Sequence, residues 1–84
     1  MLNITEIRIR KINKGDLLAV ASIQLDNCFV VRDIKLLDGK NGRYIGMPNI
    51  LLKNGRNRRN YMFPLNNETR LQILNAICEE YDKE

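Results

Sequence analysis

Leu17-Leu18-Ala19-Val20-Ala21-Ser22-Ile23-Gln24-Leu25 places Leu17, Ala19, Ala21, Ile23 and Leu25 on one side of an extended chain. A period of two marks a strand with one face turned to a core. On the N-terminal side, Thr5, Ile7 and Ile9 alternate with Glu6, Arg8 and Arg10, a strand with one wet face. Asn13-Lys14-Gly15-Asp16 lies between the two, rich in residues that tolerate unusual backbone angles. On the C-terminal side, Asp26-Asn27 marks a second turn, and Cys28 to Leu37 forms a third strand dense in Val, Ile and Leu. Three strands on tight connections make an antiparallel meander.

Beyond the meander, Asp38-Gly39-Lys40-Asn41-Gly42 reads as a loop and Arg43 to Met47 as a short strand. Pro48 ends it, because proline cannot donate to a ladder. Asn60 to Leu65 reads as one more short strand, broken by Pro64. The last segment is helical. Asn67 is placed to cap it, with Glu68 near the positive end. Leu71, Leu74, Cys78 and Tyr81 fall on one stripe, widened by Ile73 and Ile77. The expected fold is α+β: one domain over residues 1–84, an antiparallel sheet of about five strands with a C-terminal helix packed on it. Ile50-Leu51-Leu52 stands apart, three apolar residues beside a polar connection, suited to packing under that connection or against a second subunit.

A chain of 84 residues buries only about 60% of the surface its unfolded form exposes, so its core is thin and pairing with a second copy is favoured. The net charge of +4 hides an asymmetry. Glu79 to Glu84 holds four acids against Lys83, a net of −3, which leaves +7 on residues 1–78. Such a body suits polyanionic partners, while the acids either solvate the outer face of the helix or brake the basic surface.

The chain has no histidine, hence no imidazole base and no Ser-His or Cys-His pair. Cys28 and Cys78 stand far apart, as buried small hydrophobes rather than zinc ligands. Asp33 and Asp38 fit structural roles, a strand-end carboxylate and an Asx-type turn, better than an acid–base pair. No enzyme activity, cofactor, metal or small-molecule substrate is expected. The longest apolar run, Leu17 to Ala21, cannot span a bilayer, so a cytoplasmic protein without membrane contact is expected.

Lys53-Asn54-Gly55-Arg56-Asn57-Arg58-Arg59 holds four cations, no anion and a turn-forming Asn-Gly. Clustered like charges repel and bury nothing. A flexible positive loop suits a phosphate backbone, because arginine offers a planar fork of donors matched to phosphate oxygens. The alternative is a solvated connection that keeps a small protein soluble. Tyr44, Tyr61 and Phe63 flank the loop and could stack bases, although core packing is the commoner fate of such residues.

Several segments together resemble the stage V sporulation protein G family of bacterial regulators, the septation regulators. They are Ile4-Thr5-Glu6-Ile7-Arg8-Ile9-Arg10, Ala19-Val20-Ala21-Ser22-Ile23 with Leu25-Asp26, and Phe29-Val30-Val31-Arg32-Asp33-Ile34-Lys35. Asp38-Gly39-Lys40-Asn41-Gly42, Met47-Pro48, Pro64-Leu65-Asn66, Thr69-Arg70 and Glu80-Tyr81 continue the match in order. The resemblance implies a domain that forms a homodimer through its sheet and binds DNA and also RNA, linked to septation, sporulation and control of gene expression. The basic residues it implicates fall at Lys53, Arg56, Arg58 and Arg59, with Arg70 at the helix start and Lys40 and Arg43 extending the surface.

Two departures lie in that same region. Asn49-Ile50-Leu51-Leu52 stands where relatives carry Lys/Arg-Thr-Pro, and Asn54-Gly55-Arg56 replaces an Asp-Gly-Glu type of turn. Cationic charge is moved rather than lost. The sequence therefore supports a dimeric nucleic-acid-binding regulator, with a protein-interaction adaptor docking through Ile50 to Leu52 as the rival.

Overall fold

The computed structural model describes residues 2–83. Six strands and one helix follow in order: β1 (Ile4–Lys14), β2 (Leu17–Leu25), β3 (Phe29–Gly39), β4 (Gly42–Gly46), β5 (Asn49–Leu51), β6 (Arg58–Asn60) and α1 (Asn67–Lys83). The first four form an antiparallel sheet in the order β1-β2-β3-β4, and β5 and β6 form a separate hairpin. The α+β architecture is the expected one, but the strand inventory differs. Ile50 and Leu51 are in β5, and the segment expected as a strand over 60–65 is irregular beyond Asn60.

One face of the sheet carries the core. Ala19, Ala21 and Ile23 from β2, Val31, Ile34 and Leu36 from β3, and Ile45 and Met47 pack against Ile73 and Ile77 of α1. Leu2, Ile4, Ile7, Ile9, Leu18, Leu25, Leu74, Cys78 and Tyr81, partly buried, pack against this cluster. Each fully buried Ile or Leu contributes about 1.5–3 kcal/mol.

Alternation is preserved by irregularities in the ladder. Ala21 pairs with Ile34 and Ile23 with Val31, so Ser22 faces two residues, Arg32 and Asp33. This bulge shifts the buried set in β3 from the odd Val31 to the even Ile34 and Leu36. Without it, one half of β3 would turn its apolar residues to solvent. Asp33, expected near a strand end, instead holds the bulge with φ of 61°. Asp and Asn tolerate this left-handed conformation better than other side chains.

The helix begins one residue from the expected cap. Asn66 Oδ1 accepts a hydrogen bond from the Thr69 N–H at 2.8 Å, so Asn66 rather than Asn67 is the N-cap. The buried stripe is also rotated: Ile73 and Ile77 are its centre, Leu74, Cys78 and Tyr81 flank it, and Leu71 faces outward. At the helix start, the Leu2 N–H donates to Gln72 Oε1 at 3.3 Å, and Gln72 Nε2 donates back to Leu2 O at 2.6 Å. At its end, the Tyr81 hydroxyl donates to Asn13 Oδ1 and Arg43 pairs with Asp82. Cys28, expected as a buried hydrophobe, is exposed on the β2–β3 turn, whereas Cys78 is half-buried.

In urea unfolding, Asn66→Ala is expected to lower stability by about 1 kcal/mol. Asn67→Ala should stay within about 0.5 kcal/mol of the parent. The reverse ranking would return the cap to Asn67.

Candidate functional site

Met47 and Pro48 are buried, and they anchor the chain where it leaves the sheet. From that base the hairpin projects. Asn49 pairs with Asn60, Ile50 with Arg59 and Leu51 with Arg58, and the Tyr61 N–H donates to Pro48 O at 3.1 Å.

The connecting loop is ordered by its own backbone rather than slack. The Leu52 N–H donates to Asn57 O at 2.8 Å, and the Gly55 N–H donates to Leu52 O at 2.9 Å. Asn54 Oδ1 accepts from the N–H groups of Arg56 at 2.9 Å and Asn57 at 3.2 Å. Gly55 has φ of 71°, which a side chain would resist. The Asn-Gly pair therefore sets a defined turn, and Lys53, Arg56, Arg58 and Arg59 are all exposed on it.

Alternation splits these cations. Arg58 and Asn49 share one side of the hairpin, where Arg58 Nε donates to Asn49 Oδ1. Arg59 and Ile50 face the other way. Ile50 and Leu51 are each 53% exposed, so they pack neither under the loop nor into the core.

The remaining expected site residues lie elsewhere. Lys40 is exposed on the β3–β4 turn, at the far end of β4 from the hairpin. Arg70 is half-buried in the first turn of α1. Arg43 is engaged: Nη1 meets Asp82 Oδ1 at 3.0 Å, and the guanidinium lies 5.1 Å from the Tyr81 ring centroid. The Asp82 carboxylate, and after it the Cys78 thiol, raise the Arg43 pKa above its already high ordinary value. Arg43 thus ties β4 to the acidic end of the helix.

Alternation along β1 marks Arg8 and Arg10 only as part of a wet face. Register shows more. On the uncovered side of the sheet, Arg8 stands opposite Ser22 and the Arg32-Asp33 bulge, and Arg10 lies in a row with Val20 and Lys35. Arg8, Arg10, Arg32 and Lys35 are all exposed there, against the carboxylates of Glu6 and Asp33. Arg8 Nε pairs with Glu6 Oε2 at 3.2 Å. A groove of about 270 Å³ joins this face to the hairpin, with Arg10, Lys35, Asp33, Arg58 and Tyr61 along it. The signal was available as cations at alternate positions on β1 and β3, but only register brings them side by side.

The aromatic residues are also placed differently from the commoner expectation. Tyr44, Tyr61 and Phe63 are 50–57% exposed and lie outside the core. Among the described residues there is no cluster of metal-ligating side chains, and no helix is long and apolar enough to cross a membrane.

Comparison with known proteins gives one consistent answer. The SpoVG family model matches residues 2–83. A Bdellovibrio bacteriovorus protein named "Putative septation protein SpoVG" is 43% identical over 83 residues, spanning 99% of this chain and 76% of its own. Proteins of the same name from Clostridium perfringens and Caldicellulosiruptor bescii are 45% and 42% identical, with 91% and 92% of their lengths matched.

Replacing Arg43 by Ala should cost about 1 kcal/mol of stability in urea, through the lost ion pair and ring contact. Arg56→Ala, on the exposed loop, should cost less than about 0.5 kcal/mol. Equal costs would remove the distinction between the structural and the free cation.

Proposed function

The chain belongs to the SpoVG family, and from that premise we propose that it is a nucleic-acid-binding regulator acting in septation or sporulation through control of gene expression. The observation that carries this reading is the hairpin loop. Lys53, Arg56, Arg58 and Arg59 are exposed on an ordered turn and, among the described residues, none forms an ion pair. A protein that held these charges for solubility alone would gain nothing from fixing the loop with side-chain and backbone hydrogen bonds. Arg56, Arg58 and Arg59 take phosphates of DNA or RNA, Lys53 adds general attraction, and Arg70 and Lys40 lie outside this cluster as secondary contacts. Nothing in the arrangement calls for catalysis. The protein works by binding.

The active form is a homodimer paired through the sheet. Support comes from the β1 edge, which is long and unpaired on its outer side among the described residues, and from the thin core of a chain this size. Two copies double the cationic hairpins and add avidity along one polymer.

A second reading has an observation of its own. Ile50 and Leu51, exposed on β5, could dock a partner protein in division control, with the cations steering the approach.

Salt separates the two. Fluorescence anisotropy with labelled DNA and RNA should give a log-log salt slope near about −4 if about four phosphates are neutralised on a duplex. Arg56/Arg58/Arg59→Ala should abolish that binding, and sedimentation of the parent should give twice the chain mass of 9.8 kDa. Failure of the folded parent to bind at low salt would overturn the nucleic-acid reading. A salt-insensitive partner interaction lost in Leu51→Asp would favour the adaptor.

A further inference from the structure

The uncovered sheet face holds a feature that phosphate attraction does not explain. Asp33 sits among Arg10, Lys35 and Arg58, yet among the described residues no ion pair to it is formed. Its position is not casual. The bulge at Arg32-Asp33 and the left-handed φ of 61° fix where the carboxylate starts from the backbone. A surface evolved only to hold phosphates would be weakened by a carboxylate at its centre.

The surroundings have three chemical parts. Exposed cations form the walls: Arg8 and Arg32 around one groove of about 380 Å³, Lys35 and Arg58 around the adjoining one of about 270 Å³. Both grooves share Arg10, Val20 and Asp33, so they form one trough that runs across the sheet to the hairpin. Val20 supplies an apolar floor, and the half-exposed Tyr61 ring flanks the hairpin end. Asp33 is the acceptor in the middle.

Cationic walls, an apolar and aromatic lining and a lone carboxylate acceptor together match a ligand that offers phosphates and base edges at once. A duplex does not, because its bases are stacked inside and only its grooves expose their edges. A single strand does, since its unstacked bases can turn toward the protein while the backbone follows the cations. We infer that the uncovered sheet face is a binding platform for single-stranded nucleic acid, with Asp33 accepting hydrogen bonds from a base edge. This rests on the nucleic-acid reading above and adds strandedness and a base preference to it. Guanine fits best, because its N1–H and N2 amino donors lie side by side and match the two oxygens of one carboxylate. Thymine and uracil offer a single donor flanked by carbonyl oxygens, which the carboxylate repels.

The test uses anisotropy on the full chain with three labelled probes of one length: a thymine-only strand, the same strand with guanines inserted, and a duplex. Arg10→Gln with Lys35→Gln keeps much of the side-chain bulk and removes two walls, and circular dichroism with thermal melting checks the fold. Single-strand binding should weaken by about tenfold or more in this variant, with duplex binding changed less. Asp33→Gly keeps the left-handed backbone accessible and removes the acceptor. It should erase a guanine preference of about fivefold to a hundredfold while binding the thymine-only strand at least as tightly as the parent. Unchanged single-strand binding in the folded Arg10/Lys35 variant would overturn the platform, even if the hairpin variant still lost duplex binding. A guanine preference that survives Asp33→Gly would overturn the role of Asp33. Binding of neither strand nor duplex by the parent would overturn this proposal together with the reading it rests on.

Discussion

A single helix lies on a four-stranded sheet, and everything else follows from the fact that it can cover one face and not two. Helix α1 has 17 residues and is about 25 Å long at 1.5 Å per residue. Its Ile73 and Ile77 close over Ala19, Ala21, Ile23, Ile34 and Leu36, and that contact is the core. Among the described residues no element lies above the opposite face, which is therefore wet. Its residues are charged for that reason: Arg8, Arg10, Arg32 and Lys35 occupy the positions that alternate with the buried ones.

Because the core is thin, the helix is pinned at both ends. Gln72 clamps the backbone of Leu2 at one end, while Arg43, Lys11 and Asn13 gather around Tyr81 and Asp82 at the other. The latch brings the acidic end of α1 against cations of β1 and β4. Asp82 therefore meets Arg43 at the helix end, Glu80 pairs with Lys83, and on the uncovered face Arg8 pairs with Glu6.

The strands β1 to β3 were legible because period-two alternation runs through them, interrupted by turn residues at 13–16 and 26–27. The Arg32-Asp33 bulge was not. Val30-Val31-Arg32-Asp33-Ile34-Lys35 is apolar enough on both sides that alternation alone does not show where parity changes. Three-residue strands such as β5 and β6 carry no periodic signal either, so the basic stretch was readable as a loop but not as the tip of a hairpin. Asn66 and Asn67 are chemically identical neighbours, and only backbone geometry decides which one caps. For the candidate site, the sequence exposed the cations that are adjacent along the chain, Lys53 to Arg59. It hid those that are adjacent only across strands, because cross-strand neighbours are fixed by register.

The proposed nucleic-acid surface is the sheet face left bare by the helix together with the hairpin. Backbone amide chemical shifts followed by nuclear magnetic resonance during titration with a single-stranded oligonucleotide test this residue by residue. Movement is expected at Arg8, Arg10, Arg32 to Lys35 and Asn54 to Asn60, with the amides of Ile73 to Ile77 unmoved. Shifts confined to α1 or to Ile50–Leu52, or no shifts at low salt, would contradict it.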